Sequence, residues 1–333
     1  MRSLCGLTVS EISDLAGCNE RHALAIANWL YKRKSDDFML IRGLPRKVKE
    51  KLKESSFQGI YGPVSSVKSV DGTVKYLFRN EEEKEFETVL MTNPKRTTVC
   101  VSSQSGCRMG CPFCATGQYG FRGDLSVRDI LTQVLGPGID GKVTHVVFMG
   151  MGEPMDNIEN VLKACEIMMA EWGMALSPRN ITVSTVGITP GVLKFLDSCE
   201  CNMALSLFSP FPEERLKSVP AENKYPAKEI IEVMKSARTF RKRRMSIAYI
   251  MIRDMNDTDR HLEGLKELLM NTGIRVNLLP YHSVPGDGNV SSSPETMNQF
   301  KHELVISGIS ASIRKSSGAD IFAACGLLAS GLK

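Results

Sequence analysis

An α/β fold, with parallel strands under outer helices, is predicted from two observations. After Gly117 the chain alternates strand-like and helix-like segments five times over. Such alternation builds parallel strands joined by helical crossovers. The segments richest in cysteine, glycine and carboxylate fall where those strands end, and parallel barrels form their active sites at that end.

The elements follow in order. Residues 1–60 read as a helical accessory domain. Thr8 or Ser10 caps a first helix, His22 to Lys32 repeats Ala23, Ile26, Ala27 and Leu30 at helical spacing, and Pro45 starts a basic helix to Glu54. Residues 61–97 switch to period two and form a β-hairpin extension around Asp71-Gly72, a strong turn signal, with a further strand at Phe86–Met91. Residues 98–290 carry the alternation. Strands are expected at 98–102, 145–151, 180–186, 203–209, 245–252 and 275–281, with helices at 125–135, 157–172, 190–198, 226–240 and 258–271. Residues 291–333 give a helix from Pro294, a last strand at 311–315 and a tail.

Composition is that of a globular chain, with 42% hydrophobic and 24% charged residues. No apolar run is long enough to span a bilayer, and the N-terminus has acidic residues and no apolar signal core. A cytoplasmic address without a membrane partner is therefore expected. The net charge of +5 permits an RNA partner without demanding one. Basic residues do cluster at Lys32–Lys34, Arg46–Lys53 and Arg241–Arg244. Each run taken alone suits a solvated helix face as well as a phosphate contact.

Ten cysteines in a cytosolic chain point to metal binding or catalysis over disulfides. Cys107, Cys111 and Cys114 form C-x3-C-x2-C in a glycine-rich loop. Zinc would require a fourth ligand, and no histidine or second close cysteine pair flanks the loop. Three thiolates suit a [4Fe–4S] cluster with one iron left for a non-protein ligand. Cys5, Cys18, Cys165, Cys199 and Cys201 read as small apolar residues.

This motif, with an aromatic residue before its last cysteine, resembles the radical S-adenosylmethionine (radical SAM) superfamily. That superfamily has a partial (βα)6 barrel, consistent with the six strands counted above. The resemblance implies that the open iron binds SAM and that the cluster cleaves it to a 5′-deoxyadenosyl radical. Gly152-Glu153, within FMGMGEP at 148–154, resembles the stretch that holds the SAM amino group; alone it would read as a turn with a surface carboxylate.

Further segments narrow the resemblance. Cys100–Cys107, FMGMGEPMDN at 148–157, LSP at 176–178, STVGI at 184–188, RDMND at 253–257, VNLLPY at 276–281 and IRKSSGADIFAACG at 313–326 are similar to the RlmN/Cfr family of radical SAM RNA adenine methyltransferases. The resemblance covers nearly the whole chain. It implies methylation of adenine C2 in 23S rRNA and, in part of the family, of the tRNA adenosine 3′ of the anticodon. Methylation of C8, or another radical SAM substrate, is the alternative. It implies that Cys325 takes a methyl group from one SAM, that a second SAM provides the radical, that Cys100 resolves a covalent RNA adduct by forming a disulfide, and that Glu87 accepts the ring proton. Read singly, Cys100 is a buried strand residue, Cys325 a packing residue and Glu87 an exposed strand carboxylate. The family's SAM contacts carry over to Ser184, Ser206 and Leu207. Phe208, Glu222 and His282 stand where the family has His, Asn and Asn. A flavodoxin- or ferredoxin-like electron donor and a monomer are implied as well.

Overall fold

A capping box opens the chain. The Thr8 N–H donates to the Glu11 carboxylate at 2.7 Å while the Thr8 hydroxyl accepts from the Glu11 N–H, which starts α1 (Val9–Ala16). The computed structural model describes residues 1–136, 143–241, 243–284 and 286–329. Lys242 and the last four residues of the tail lie outside them. Helix α2 (Glu20–Asn28) runs on into a π-turn at Trp29–Arg33, and α3 (Arg46–Ser55) follows Pro45. Val9, Ile12, Ala23, Ile26, Val48 and Leu52 are buried, while Lys47, Lys51 and Lys53 are exposed. Strand β1 (Arg2–Ser3) pairs in parallel with β2 (Ser56–Phe57) and ties the two ends of this helical unit together.

The period-two region forms an antiparallel meander, β3 (Ser65–Lys68), β4 (Val74–Arg79), β5 (Glu85–Asn93) and β6 (Arg96–Val101). Gly72 takes φ +86° in the turn where Asp71-Gly72 was expected to make one. A short antiparallel ribbon, β7 (Gln104–Ser105) and β8 (Gly123–Asp124), closes the base of the cysteine loop, and α4 (Ala115–Tyr119) lies within it.

The alternating region follows as α5 (Val127–Leu135), β9 (His145–Phe148), α6 (Ile158–Met169), β10 (Ile181–Thr185), α7 (Thr189–Ser198), β11 (Asn202–Ser206), α8 (Pro212–Ser218), α9 (Ala227–Arg241), β12 (Met245–Met251), α10 (Asp259–Leu269), β13 (Arg275–Pro280), α11 (Pro294–Ile306) and β14 (Ala311–Ile313). The ten-stranded sheet runs β14-β13-β12-β11-β10-β9-β6-β5-β4-β3. Every pairing from β6 to β14 is parallel. The expected partial barrel is present, and β14 extends its six strands by one. Helix α8 was not expected from the sequence.

Side chains alternate across these strands. Met245, Ile247, Tyr249 and Met251 alternate with Ser246, Ala248 and Ile250, and the whole of β12 is buried. Ser246, Ala248 and Ile250 border cavities, as do Thr182 and Ser184 of β10 and Asn277 and Leu279 of β13. Small and polar side chains on that face keep the barrel open for a ligand, where bulky branched ones would fill it. Among the described residues no helix is long and apolar enough to cross a membrane.

Candidate active site

The cysteine loop grows from a braced root. Ser102 donates its hydroxyl to the Glu87 carbonyl at 2.6 Å and accepts from the Met151 N–H at 2.8 Å. The buried Gln133 amide grips the same residue, accepting from its N–H at 2.7 Å and donating to its carbonyl at 2.9 Å. These bonds fasten the end of β6 to its neighbours β5 and β9. Gly106 sits at φ +73°, and a Cβ there would fall 1.6 Å from the Gly120 carbonyl oxygen. Only glycine lets the two ends of the loop meet so closely.

Cys107, Cys111 and Cys114 border one cavity together with Gly152, Glu153, Ser184, Ser206, Phe208 and Cys325. Burial pushes the Cys107 thiol up to about 12 and raises that of Cys111 as well. Three thiols from one loop, facing a shared cavity, are the donor set that iron–sulfur clusters use.

Glu153 is fully enclosed. Its carboxylate accepts from the Thr185 hydroxyl at 2.6 Å, the Met155 N–H at 3.0 Å and the Val186 N–H at 2.9 Å. Burial nevertheless outweighs these bonds and holds it at about 7. A carboxylate accepts about four hydrogen bonds, so room remains for an ammonium donor from the cavity. Gly152, at φ +95°, brings its Cα against Gln104, where a Cβ would lie 2.6 Å from the backbone nitrogen. Gln104 in turn accepts from the Glu153 N–H and donates to Asp124 and Asp156.

The opposite wall is aromatic. Phe113, from the loop, stacks on Phe208 with ring centroids 5.0 Å apart. Phe208 has φ +68°, a left-handed conformation rare for a bulky residue. Asn256 holds it there: its amide donates to the carbonyls of Phe208 and Ile250 and its oxygen accepts from the Ile252 N–H. Behind this wall lies Arg215, fully buried, which donates to the carbonyls of Leu207, Val186 and Ser206 and pairs with Glu222. Glu222 is thus the counter-charge of a buried guanidinium whose field reaches Cys111 and Glu153. Sequence reasoning missed Arg215, Thr185 and Asn256; for Asn256 the RDMND stretch was a signal, since it holds a polar residue just after a buried strand.

The C-terminal tail closes the cavity. Gly318 N–H donates to Asp71, and Asp320 accepts from the Ser69 hydroxyl and the Val70 N–H, so the hairpin turn clasps one side of the tail. The Ala115 N–H donates to the Gly326 carbonyl and the Thr116 hydroxyl to that of Leu328, which pins the other side to α4. Between these anchors Cys325 is exposed to the cavity. Desolvation raises its thiol, and the charge of Arg314 pulls the other way. Cys100, buried in β6, lies close enough for the two thiols to interact electrostatically, and burial raises it too.

Glu87 is buried, with Lys75 3.4 Å away and the Ala329 backbone as a further partner; burial raises its carboxyl. Glu87, Cys100, Leu207 and His282 lie outside the residues bordering the cavity, whereas Ser184 and Ser206 are among them. His282 instead meets the Ser316 hydroxyl at 2.6 Å. Cys165, Cys199 and Cys201, read as unrelated apolar residues, gather into one buried group.

The profile of the radical SAM superfamily matches residues 101–265. A probable dual-specificity RNA methyltransferase RlmN from Bacteroides fragilis is 40% identical over 98% of this chain and 95% of its own length. One of the same name from Thermus thermophilus is 38% identical over 95% and 90%. The crystal structure of a radical SAM methyltransferase from Sphaerobacter thermophilus superposes with a TM-score of 0.89 at 34% identity, covering 98% of this chain and 99% of that one. With its cluster loop, Glu153 and cavity-facing Cys325 arranged as described, the chain belongs to the RlmN family of radical SAM methyltransferases.

Proposed function

We propose that the protein methylates C2 of an adenosine in 23S rRNA, and the adenosine 3′ of the anticodon in tRNA, using a [4Fe–4S] cluster and two molecules of SAM per turnover. The observation that carries this reading is the meeting of Cys325 with the three loop cysteines on one cavity, with Cys100 beside it. Cys107, Cys111 and Cys114 hold the cluster, Glu153 receives the SAM ammonium group, and Ser184 and Ser206 line its course. Bound there, cluster and SAM supply a carbon-centred radical able to take hydrogen from a methyl group.

Cys325 loses its proton and takes a methyl group from the first SAM. After one hydrogen atom is removed, the methylene on Cys325 bonds to adenine C2 and ties RNA to protein. Glu87 accepts the proton leaving C2, a role that its raised carboxyl suits, while the unpaired electron left on the ring passes back to the one-electron donor system. The Cys100 thiolate then attacks the Cys325 sulfur. A disulfide forms, the carbon–sulfur bond breaks toward carbon, and the released carbon takes a proton to become the methyl group. An external thiol reduces the disulfide before the next turnover.

Residues 1–60 contribute a basic face for the RNA backbone through Lys47, Lys51 and Lys53, all exposed. A flavodoxin or ferredoxin supplies the electron, and the enzyme works as a cytoplasmic monomer. The test is anaerobic incubation of the reconstituted protein with SAM, a reductant and either a 23S rRNA fragment or tRNA, followed by nucleoside mass spectrometry. 2-Methyladenosine in both RNAs is expected; 8-methyladenosine, or no modified adenosine, would overturn the reading. Cys100→Ala should co-purify with RNA bound through Cys325.

A further inference from the structure

Helix α6 turns Cys165 and Met169, one helical turn apart, toward the end of α7 and the start of β11. Cys199 caps α7, and Cys201 directly precedes β11. The three Sγ atoms lie within 4.8 Å of one another, and each thiol is within hydrogen-bonding reach of the other two. All three residues are at most 2% exposed. The Met169 thioether is 3.5 Å from the Cys201 sulfur and offers a fourth soft atom.

Two further observations point to a ligand. An open surface cleft is lined by Met169, Ala170, Ser198 and Cys199, so small solutes can reach the group from outside. The buried Arg243 donates to the Leu196 carbonyl at 2.9 Å, and its charge acts on both Cys199 and Cys201. Three buried thiols that merely filled space would need neither sulfur neighbours nor a buried guanidinium. A metal bound by thiolates at about 2.3 Å brings its sulfurs to roughly 3.8 Å from one another, which is within the 4.8 Å that bounds this group.

We infer that Cys165, Cys199 and Cys201 form a second metal site, separate from the cluster loop, that takes one thiophilic divalent cation, zinc, with Met169 at its fourth side. Charge selects the ion. Three thiolates around a divalent cation leave one negative charge, opposite in sign to the Arg243 guanidinium whose charge acts on the group; a monovalent copper ion would leave two. The site joins α6, α7 and β11 at the foot of the strand that ends in Ser206. Its role is to lock that corner of the barrel, since metal bound only by the folded state stabilises it.

The experiment uses the full chain with its loop already filled by iron–sulfur reconstitution, so that Cys107, Cys111 and Cys114 are occupied. After exposure to zinc sulfate and gel filtration, iron and zinc are counted together. About one zinc per chain is expected for a site of this kind. The double variant Cys199→Ser, Cys201→Ser should lose at least nine-tenths of the zinc while its iron content stays as in the parent. Equal zinc in both proteins overturns the inference. Should the variant fail to fold, the parent decides: cobalt(II) added to the iron-loaded protein should give intense thiolate-to-cobalt charge-transfer absorption that zinc removes. Absence of that absorption overturns the inference. Copper(I) held at the group against a chelator while zinc is not would overturn the choice of ion.

Discussion

Among the described residues, two cysteine triads differ in how the chain assembles them and in what they face. Cys107, Cys111 and Cys114 lie within eight consecutive residues on a loop and face a cavity. Cys165, Cys199 and Cys201 come from a helix and from the junction of another helix with a strand, and they face each other in the interior. Each has a buried arginine whose charge reaches it, Arg215 for the loop and Arg243 for the interior group. The difference teaches how a chemical function is separated from a structural one. The loop triad can leave part of its ligand's coordination open to a small molecule, because a cavity adjoins it. The interior triad is buried, and of its three members only Cys199 borders a surface cleft.

That division is broken most directly at the loop. Replacing Cys107, Cys111 and Cys114 by Ala should abolish methylation and iron content together, while the melting temperature moves only by a few degrees. Retained iron, read from the visible absorbance, would show that the loop is not the cluster site. Arg215→Met attacks the loop's supporting wall instead. It leaves Glu222 buried without its partner, a loss of about 3–5 kcal/mol in denaturant unfolding; a loss under about 1 kcal/mol would mean that the pair adds nothing to that wall.

The loop's setting was legible because its residues are neighbours in sequence; the interior triad's was not. Spacing reports ligands that one turn or loop brings together, whereas Cys165 and Cys199 meet only after α6 and α7 pack. The same reasoning covers the rest of the fold. The strands of the barrel were legible because parallel strands, buried on both faces, read as apolar runs between glycines and caps. Helix α8 escaped because Pro212–Ser218 has too few residues to display a period. Arg215 drew no notice in the sequence and Glu222 only as standing where the family has Asn; tertiary packing turns them into a buried pair. Of the family's expected SAM contacts, Ser184 and Ser206 border the cavity, since residues two apart on parallel strands share its face, while His282 turns toward Ser316.

Glu153 gives the loop's side of the comparison a pH axis. Its carboxyl is raised by burial from the usual range to about 7. The sign follows from linkage: its contribution to stability is complete below its unfolded value of about 4.5 and is lost as pH rises toward 7. The difference in stability between the cluster-free protein and Glu153→Gln should therefore change between pH 4.5 and 7, by up to roughly 3 kcal/mol, and level off above. A difference that stays flat across that window, measured by chemical unfolding, would show that this carboxylate is solvated. The smallest effect is expected at Cys165→Ser in iron-loaded, zinc-free protein. Exchanging one sulfur for a hydroxyl within reach of two thiols should cost about 1 kcal/mol and leave RNA methylation intact at moderate temperature. Loss of activity in that variant would erase the distinction between the two triads.

The hairpin clasp on the tail has a kinetic meaning. Cys100 and Cys325 bracket a loop of about 225 residues, and joining the ends of so long a flexible chain costs on the order of 5 kcal/mol in closure entropy. Asp71, Ser69 and Asp320 meet that cost once, when the chain folds, by fastening the tail before any substrate arrives. With the tail fastened, Cys325 stays where its charge acts on Cys100, and no diffusion of the chain is needed to bring it there.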